Sequence, residues 1–473
     1  MSDLAQPPAP PDRIGLNRSE RVYLALEGVA GAIGQVHVLR FRQPHAESEL
    51  RAALRELVRL CPRLRSVIER RFFGACLAVL PDGARVDELF QQAFRSLPIG
   101  TDEAAVNASL NDLVNEPFAL EQGLPWRVCF LSGKGPPILI VSLHHVVCDG
   151  RGMITLLENL LRGLNGQGHL PMPVEDSSLL PAIWPLPVPS RSAVPGRLLS
   201  LWRSYRLERR SHARWKNQRA LTLVKKKARF GPTGIVLHTA PASLDAIKAA
   251  AEARDCTVTE LLVAALGTSF AGPASGDPAA VASVRLSVDL RPYFPVGRRP
   301  TLGNYVASVV VHLTNNGDRE VAVASARAQL REARRRFEAR EMSYPLLRAE
   351  LAPRLLGRRL YGACARWFKR RGFLQDVTLH ISNLGSVDRL NRHGDRAQAG
   401  ALAFFTPALG PYVGCVGLGG CLYLGVSYPR SEVDEAAIKQ ALIDFDRQLA
   451  ALCATIERKS IESILGRAAG RQR

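Results

Sequence analysis

The chain has 473 residues, of which 47% are hydrophobic and 22% charged, a composition that excludes a disordered or fibrous protein. This length predicts two lobes, each with its own core. Lysine and arginine outnumber aspartate and glutamate by 63 to 43, and the net charge of +20 indicates either an acidic partner or an arginine-rich coding bias. Nine scattered cysteines and the lack of a secretory signal predict a cytoplasmic protein with free thiols.

Predicted strands and helices alternate in the first half. Val36–Phe41 and Pro137–Leu143 are rich in apolar and β-branched residues, which predicts strands. A helix that ends at Pro62 lies between them, and a second amphipathic helix follows Gly150. The first helix is predicted from apolar residues that recur on one face: Leu50, Leu54, Leu57, Val58 and Cys61.

The second half shows the same alternation. Residues 397–428 carry no charge but many glycines, so we expect a pair of buried strands around a Gly-rich turn and no transmembrane segment. The other predicted elements are a helix opened by Ser243, a helix opened by the capping box Thr257–Glu260, the strand Val284–Val288, the helix Glu320–Arg340, the strand Val377–Ser382 and the helix Asp434–Glu457.

These elements predict an α/β protein built from two-layer sandwiches. We expect a flexible Pro-rich tail over residues 1–13 and a first lobe over residues 14–180. A linker, Pro-rich and then basic, is predicted for residues 181–232, and a second lobe for residues 233–473.

The strongest chemical signal lies where the strand Pro137–Leu143 gives way to a helix. There, His144 and His145 are followed by Asp149 and Gly150. A histidine at the end of a buried strand is held rigidly, and its ordinary pKa near 6.5 suits a general base at neutral pH. Neighbouring residues of an extended chain point to opposite faces, so we expect only one of the two histidines to face a reaction centre.

Two alternatives remain for this segment. The pair can be a satisfied core histidine pair beside an N-capping aspartate, although the complete pattern at a strand-to-helix turn favours a site. A zinc site is disfavoured, because two ligands of one ion should converge and these side chains diverge. We therefore expect no bound metal.

The segment His144–Gly150 resembles the HHxxxDG motif of the chloramphenicol acetyltransferase-like superfamily, which includes condensation domains, alcohol acetyltransferases and wax ester synthases. Leu60–Arg65 resembles an early segment of that superfamily. Ser287–Arg291, continued by Gly303–Asn304, and Ser382–Gly385 resemble segments of its second lobe. The resemblance covers nearly the whole chain.

The resemblance implies two similar lobes in a V-shaped arrangement, with the active site in a tunnel between them. His145 and Asp149 would be the central residues of the catalytic motif: His145 as general base, and Asp149 in a structural role, paired with Arg291. His144 and Gly150 would be structural members of the motif. Asn304 and Ser382 are candidates for lining the tunnel or polarising a carbonyl, and either can equally be an ordinary turn residue.

The implied activity is acyl transfer, of groups other than aminoacyl, from an acyl-CoA or acyl carrier protein thioester to a hydroxyl or amine. No acyl-enzyme is expected, because no GxSxG nucleophile motif occurs, and no permanent cofactor is expected either. A non-catalytic member that binds acyl carriers or partners through the same tunnel is the first alternative.

Two basic amphipathic stretches, Arg197–Phe230 and Arg354–Arg371, leave a further alternative open. They predict contact with an acidic acyl carrier protein or with an anionic membrane, which would place the protein at the inner membrane surface, unless they are solvated cationic faces. A basic membrane- or nucleic-acid-associated scaffold is the remaining hypothesis. Nucleic acid is disfavoured, since no recognised module organises the charge.

Overall fold

The computed structural model describes residues 12–27, 34–71, 74–98, 103–133, 135–172, 178–184, 194–215, 217–224, 232–273, 277, 279–371, 377–407 and 410–470. The predicted flexible tail lies outside these residues except for its last two positions, and the last of these opens a strand. Lys225, Lys226 and Lys227 of the predicted basic linker also lie outside them, as do residues 185–193 of its Pro-rich part.

The strands are β1 (Arg13–Gly15), β2 (Gly34–Phe41), β3 (Ser66–Arg71), β4 (Gly74–Val79), β5 (Phe94–Leu97), β6 (Trp126–Leu131), β7 (Ile138–His144), β8 (Arg219–Ala220), β9 (Thr233–Thr239), β10 (Ala280–Asp289), β11 (Val306–Thr314), β12 (Leu379–Ser386), β13 (Ala399–Phe405), β14 (Tyr412–Leu418) and β15 (Cys421–Pro429).

The helices are α1 (Arg18–Leu26), α2 (Glu47–Leu60), α3 (Ala84–Ala93), α4 (Glu103–Asn115), α5 (Gly150–Leu164), α6 (Leu180–Ile183), α7 (Val194–Trp215), α8 (Leu244–Glu252), α9 (Val258–Ala271), α10 (Arg319–Glu338), α11 (Ser343–Arg370) and α12 (Glu435–Gly470).

The first large sheet has the strand order β13-β2-β7-β6-β5, so β7 lies near its centre. Helices α2 and α5 pack against each other, and their apolar faces belong to the same buried core as the strands. The face predicted for α2 is the observed one: Leu50, Leu54, Leu57 and Val58 are all buried. A small sheet, β1-β4-β3, lies beside this core.

The second large sheet has the order β11-β10-β12-β14-β15-β9, with the short β8 added beside β10. A second core lies beneath it and includes residues of α8, α9, α10 and α12. The predicted helix starts are present. Ser243 caps α8, and Thr257 and Glu260 form a capping box in which each side chain accepts the other residue's backbone N–H.

The uncharged stretch 397–428 forms three strands, not only the predicted pair. The pair is the hairpin β14–β15 in the second sheet, whereas β13 joins the edge of the first sheet beside β2. Gly414 and Gly425 face each other across the hairpin, and a Cβ atom on either would lie 2.2 Å from the Phe404 carbonyl oxygen. Because only glycine allows this approach, β13 packs directly on the hairpin and ties the two sheets together.

The predicted division into lobes at 14–180 and 233–473 stays a prediction, and β13 shows that the second segment also completes the first sheet. Within residues 181–232, the structure places the 22-residue helix α7 and the strand β8. No helix among the described residues is both long enough and apolar enough to cross a membrane.

Candidate active site between the two sheets

The histidine pair lies where a central strand gives way to a helix. β7 ends at His144 and is hydrogen-bonded to β2 on one side and β6 on the other, which fixes its backbone. Asp149 caps α5, because its carboxylate accepts the Gly152 N–H at 2.9 Å. The residues between are therefore held from both ends, which is what a positioned catalytic group requires.

The two histidines point to different environments, as expected for neighbours on an extended chain. His144 is fully buried, accepts the Val146 N–H at 3.1 Å through Nδ1, and meets the Phe118 ring edge-on. His145 lies on the other side and stacks on the Tyr23 ring, with centroids 4.1 Å apart and planes 17° from parallel. His144 lies 3.9 Å from the Glu27 carboxylate, whereas His145 lies beside Tyr23, Asn304 and Thr406.

Both ring nitrogens of His145 have polar neighbours. Nε2 lies 3.2 Å from the Thr406 hydroxyl oxygen, and Nδ1 lies 3.4 Å from the side-chain nitrogen of Asn304, which also donates to the His145 carbonyl at 3.2 Å. The Thr406 hydroxyl donates to the Gly34 carbonyl at 3.1 Å. Since a hydroxyl carries one proton, Thr406 accepts the Nε2 proton of His145 in this arrangement.

Burial lowers the pKa of His145 to about 4, against the opposing influence of the Asp149 charge and the Cys148 carbonyl. The imidazole is therefore neutral at physiological pH and can accept a proton. The residue is 7% exposed and is therefore largely shielded from solvent.

The expected contact between Asp149 and Arg291 is present. Arg291 Nη1 lies 2.8 Å from Asp149 Oδ2, which also accepts the Tyr305 N–H at 2.9 Å. Burial alone would raise the pKa of the Asp149 carboxyl, but the charge and hydrogen bonds of Arg291 hold it below its ordinary value. The pair thus joins the start of α5 to the loop after β10.

A second buried ion pair supports the same region. Arg63 donates to Glu20 at 2.9 Å and to the carbonyls of Val146 and Val147 at 3.1 and 3.2 Å. Glu20 accepts the Asn304 N–H at 3.1 Å, and burial raises the pKa of its carboxyl although Arg63 opposes the shift. Together, Glu20 and Arg63 position the turn after His145 and the backbone of Asn304.

Gly150 allows close packing at the start of α5. The backbone φ of Gly150 is not positive. A Cβ atom at this position would lie 3.0 Å from a methyl carbon of Leu384. Leu384 belongs to the Ser382–Gly385 segment at the end of β12. Two segments that were singled out separately in the sequence are therefore in direct contact across the two sheets.

A cavity of about 230 Å³ lies beside this contact, lined by strands of the second sheet, including Ser382 and Asn383 of β12, and by Gly150 at the start of α5. His145 is not among its lining residues. Ser382 therefore lies on the wall of a cavity that His145 does not line. Asn304, in contrast, touches His145 directly.

The second sheet presents a polar face towards the site. Arg285 is paired in register with His380, and His380 with Tyr412, on three adjacent strands. His380 accepts from or donates to Ser287 at 3.0 Å, and burial lowers its pKa to about 3. Burial also lowers the pKa of Arg285, for which no acidic partner occurs within the described chain.

Sequence reasoning missed several residues of this site, above all Tyr23, Thr406 and Glu20. They lie 122, 261 and 125 positions from His145 along the chain, and no local pattern announces such contacts. Arg63 lay inside a recognised segment, but its role was not evident. Only the alternation of polar and apolar residues along β10 could have indicated that Arg285 faces away from the core.

The site offers no evident metal or thiolate chemistry. Within the ranges that the structure describes, no group of three or more His, Cys, Asp or Glu side chains could hold a metal ion. Cys148 is fully buried, and burial raises the pKa of its thiol well above the ordinary value, which makes it a poor nucleophile.

No protein-family model and no curated protein matches the chain. Solved structures do match. A trichothecene 15-O-acetyltransferase from Fusarium sporotrichioides has a TM-score of 0.68 at 12% identity, over 95% of this chain and 100% of that one. The first condensation domain of the calcium-dependent antibiotic synthetase, with a bound substrate analogue, has a TM-score of 0.64 at 15% identity, over 93% and 96%.

A variant of the starter condensation domain of rhizomide synthetase, in complex with C8-CoA and Leu-SNAC, has a TM-score of 0.60 at 14% identity, over 94% of this chain and 95% of that one. These likenesses extend over almost the whole length of each protein. The chain therefore shares the fold of these acetyltransferase and condensation-domain structures, and the predicted α/β fold class is confirmed.

Proposed function

We propose that the protein is an acyltransferase that moves an acyl group from a thioester to a hydroxyl or amine, with His145 as general base. The observation that carries this proposal is the setting of one neutral imidazole. It is fixed at a strand end, lies beside Asn304 of the loop before β11, and has the Thr406 hydroxyl oxygen 3.2 Å from Nε2. An acceptor O–H or N–H at a similar distance from Nε2 would be within the range at which a general base removes a proton.

The reaction needs no covalent intermediate. Nε2 takes the proton of the acceptor O–H or N–H while the acceptor atom bonds to the thioester carbonyl carbon. The resulting tetrahedral intermediate collapses, the C–S bond breaks, and the departing thiolate takes the proton back from the imidazolium. The high pKa of the buried Cys148 thiol agrees with a mechanism in which the acceptor attacks directly.

A base at Nε2 requires the tautomer in which Nδ1 carries the proton. The Cys148 carbonyl is the available acceptor, since its hydrogen bond is one of the influences that raise the pKa of His145. The incoming hydroxyl or amine then takes the place of Thr406 on Nε2, and Thr406 keeps its bond to Gly34.

Asp149 and Arg291 act as positioning residues in this scheme, because they hold the start of α5 and the loop that carries Asn304. Asn304 orients the imidazole, and Ser382 contacts the part of the substrate that occupies the cavity. The donor is a thioester of coenzyme A or of an acyl carrier protein. The match to a condensation domain solved with C8-CoA supports such a donor.

Acceptor-dependent thiol release tests the proposal. Acyl-CoA and acyl-pantetheine donors of graded chain length are offered with mixtures of alcohols and amines, and products are identified by mass spectrometry. We expect thiol release and acylated acceptor in equal amounts, and no acyl adduct on the intact protein. An acyl-enzyme that forms without acceptor would contradict direct transfer.

The small exposure of His145 favours one second candidate, a non-catalytic protein that binds acyl carriers in the cavity. It predicts saturable binding of thioesters without thiol release for any acceptor. A product found with any donor and acceptor would exclude it.

A further inference from the structure

Most of the large apolar side chains that are exposed in the described residues lie on two helices, α7 and α11, which pack against each other. Leu355 is 81% exposed, Leu198 62% and Trp202 53%. We call the exposed apolar residues of these two helices, together with the arginines between them, the apolar-basic face. Its apolar members are Val194, Leu198, Leu199, Trp202, Tyr205, Leu351, Leu355, Leu356, Leu360, Trp367 and Phe368.

The same face carries uncompensated positive charge. Its exposed arginines form no ion pair with any acidic residue of the described chain: Arg203, Arg206, Arg209, Arg210, Arg214, Arg348, Arg359, Arg366 and Arg371. Glu208 and Glu350 are the acidic residues within the sequences of the two helices. Glu208 is paired with Arg336 at 3.3 Å, and Glu350 is paired with Arg21 at 2.8 Å.

Aromatic rings and cations are interleaved on this face. The Arg206 guanidinium lies over the Trp202 ring at 4.7 Å, and that of Arg371 over the Trp367 ring at 5.8 Å. Tryptophan and arginine together suit the boundary between lipid headgroups and acyl chains, where one end of a side chain is apolar and the other meets phosphate. A bilayer surface provides both an anionic plane for the arginines and an apolar layer for leucines as exposed as Leu355.

We propose that α7 and α11 bind the surface of an anionic lipid bilayer, with their apolar side chains inserted at headgroup depth. Charge complementarity selects this occupant, because the face offers many arginines and no free carboxylate to a negatively charged plane. Each helix lies along the surface and neither spans it. Gly357, whose φ is 65°, kinks α11 so that the exposed Leu355, Leu356 and Leu360 lie close to the bend.

The binding face lies one helix away from the candidate active site. α11 packs along α1, and the ion pair between Arg21 and Glu350 joins the two. Tyr23 of α1 stacks on His145. Binding to a bilayer would therefore bring the reaction centre close to lipid-borne substrates, although the proposal itself does not depend on catalysis.

Co-sedimentation with lipid vesicles tests the proposal on the full-length protein. Vesicles with about 30% phosphatidylglycerol in phosphatidylcholine are compared with pure phosphatidylcholine, at about 50 mM and about 300 mM salt. We expect binding to the anionic vesicles at low salt, weaker binding at high salt, and little binding to the neutral vesicles. Equal binding to both lipids, or none to either, would overturn the proposal.

Two sets of substitutions separate the contributions. Replacing Arg203, Arg206, Arg209 and Arg210 with Gln should weaken binding by about fivefold for each charge removed. The double substitution Leu198→Ser with Leu355→Ser should weaken binding at both salt concentrations, because inserted apolar area is not screened by ions. Both variants change exposed side chains, and their unfolding midpoints should match that of the wild type.

A matched control lies on α12, which packs on α8 and α9. Ile443→Ser combined with Lys439→Gln and Arg447→Gln removes one exposed apolar residue and two exposed charges. This variant should bind vesicles as the wild type does. A loss of about fivefold for each of its two charges, the same per-charge loss as in the arginine variant, would show that overall charge, not this face, drives binding. Capture of a soluble acyl carrier protein without any binding to anionic vesicles would assign the face to protein docking and refute the proposal.

Discussion

The buried ion pair between Asp149 and Arg291 makes a quantitative prediction through a double-mutant cycle. Asp149→Ala removes a carboxylate that is 1% exposed and accepts from Arg291, Gly152 and Tyr305. The loss of the helix cap costs about 1 kcal/mol, and the Tyr305 N–H, left without an acceptor, costs a further 1–3 kcal/mol or so. Stranding Arg291 adds to this sum, although Asp289 at 3.1 Å still compensates part of its charge.

We therefore expect Asp149→Ala to lower the free energy of unfolding by about 3–5 kcal/mol. Arg291→Ala should lower it by about 3 kcal/mol, because it leaves the Asp149 carboxylate buried with only backbone donors. The double variant should be less destabilised than the sum of the two, by about 2 kcal/mol, since neither charge is then left alone.

Urea unfolding followed by fluorescence and by circular dichroism measures all four proteins. The control cycle uses the exposed pair Glu56 and Arg59, for which the coupling should be close to the limit of detection. A coupling between Asp149 and Arg291 that is no larger than that of the control would refute the role given to this pair. Such a result would mean that the ion pair between the start of α5 and the loop after β10 contributes little to the free energy of unfolding.

The remaining predictions concern the pH dependence, the packing and the thiols around the site. The pKa of His380 falls from 6.5 to about 3 on folding, so the unfolded chain binds more protons between these values and stability decreases as the pH falls. When the pH is lowered from about 7.5 to about 5, the free energy of unfolding of His380→Gln, measured in urea, should fall by about 2 kcal/mol less than that of the wild type. Equal decreases would contradict the burial argument. Gly150→Ala should cost about 1–3 kcal/mol, and Leu384→Val should relieve part of that cost if their contact is the cause. Iodoacetamide should leave the native Cys148 unmodified, as measured by peptide mass mapping, whereas rapid alkylation would show that the segment opens.

The local elements were predictable because each depends on residues that are close in sequence. The apolar spacing in α2 and the capping box at Thr257 describe one helix each, and the structure has both. β13 was different: an uncharged apolar run indicates burial but does not say in which sheet a strand pairs. Its place in the first sheet depends on Gly414 and Gly425, which allow the close crossing.

The candidate site was predictable only in its motif residues. His145, Asp149 and Arg291 stand in recognisable segments, and the contact between the last two is present. Tyr23 and Thr406 have no such context, because their contacts with His145 arise only when both sheets are assembled. The low pKa of His145 could not be foreseen either, since it comes from the burial that these neighbours produce.

The rate of acyl transfer by a His145→Gln variant tests the central claim most directly. Glutamine occupies much of the space of the ring and can keep a hydrogen bond to Thr406, but it cannot accept a proton from the acceptor. With a donor and acceptor that the wild type uses, kcat/KM should fall by about 10²–10⁴-fold while the unfolding midpoint changes little. A folded variant that transfers acyl groups at the wild-type rate would contradict the account.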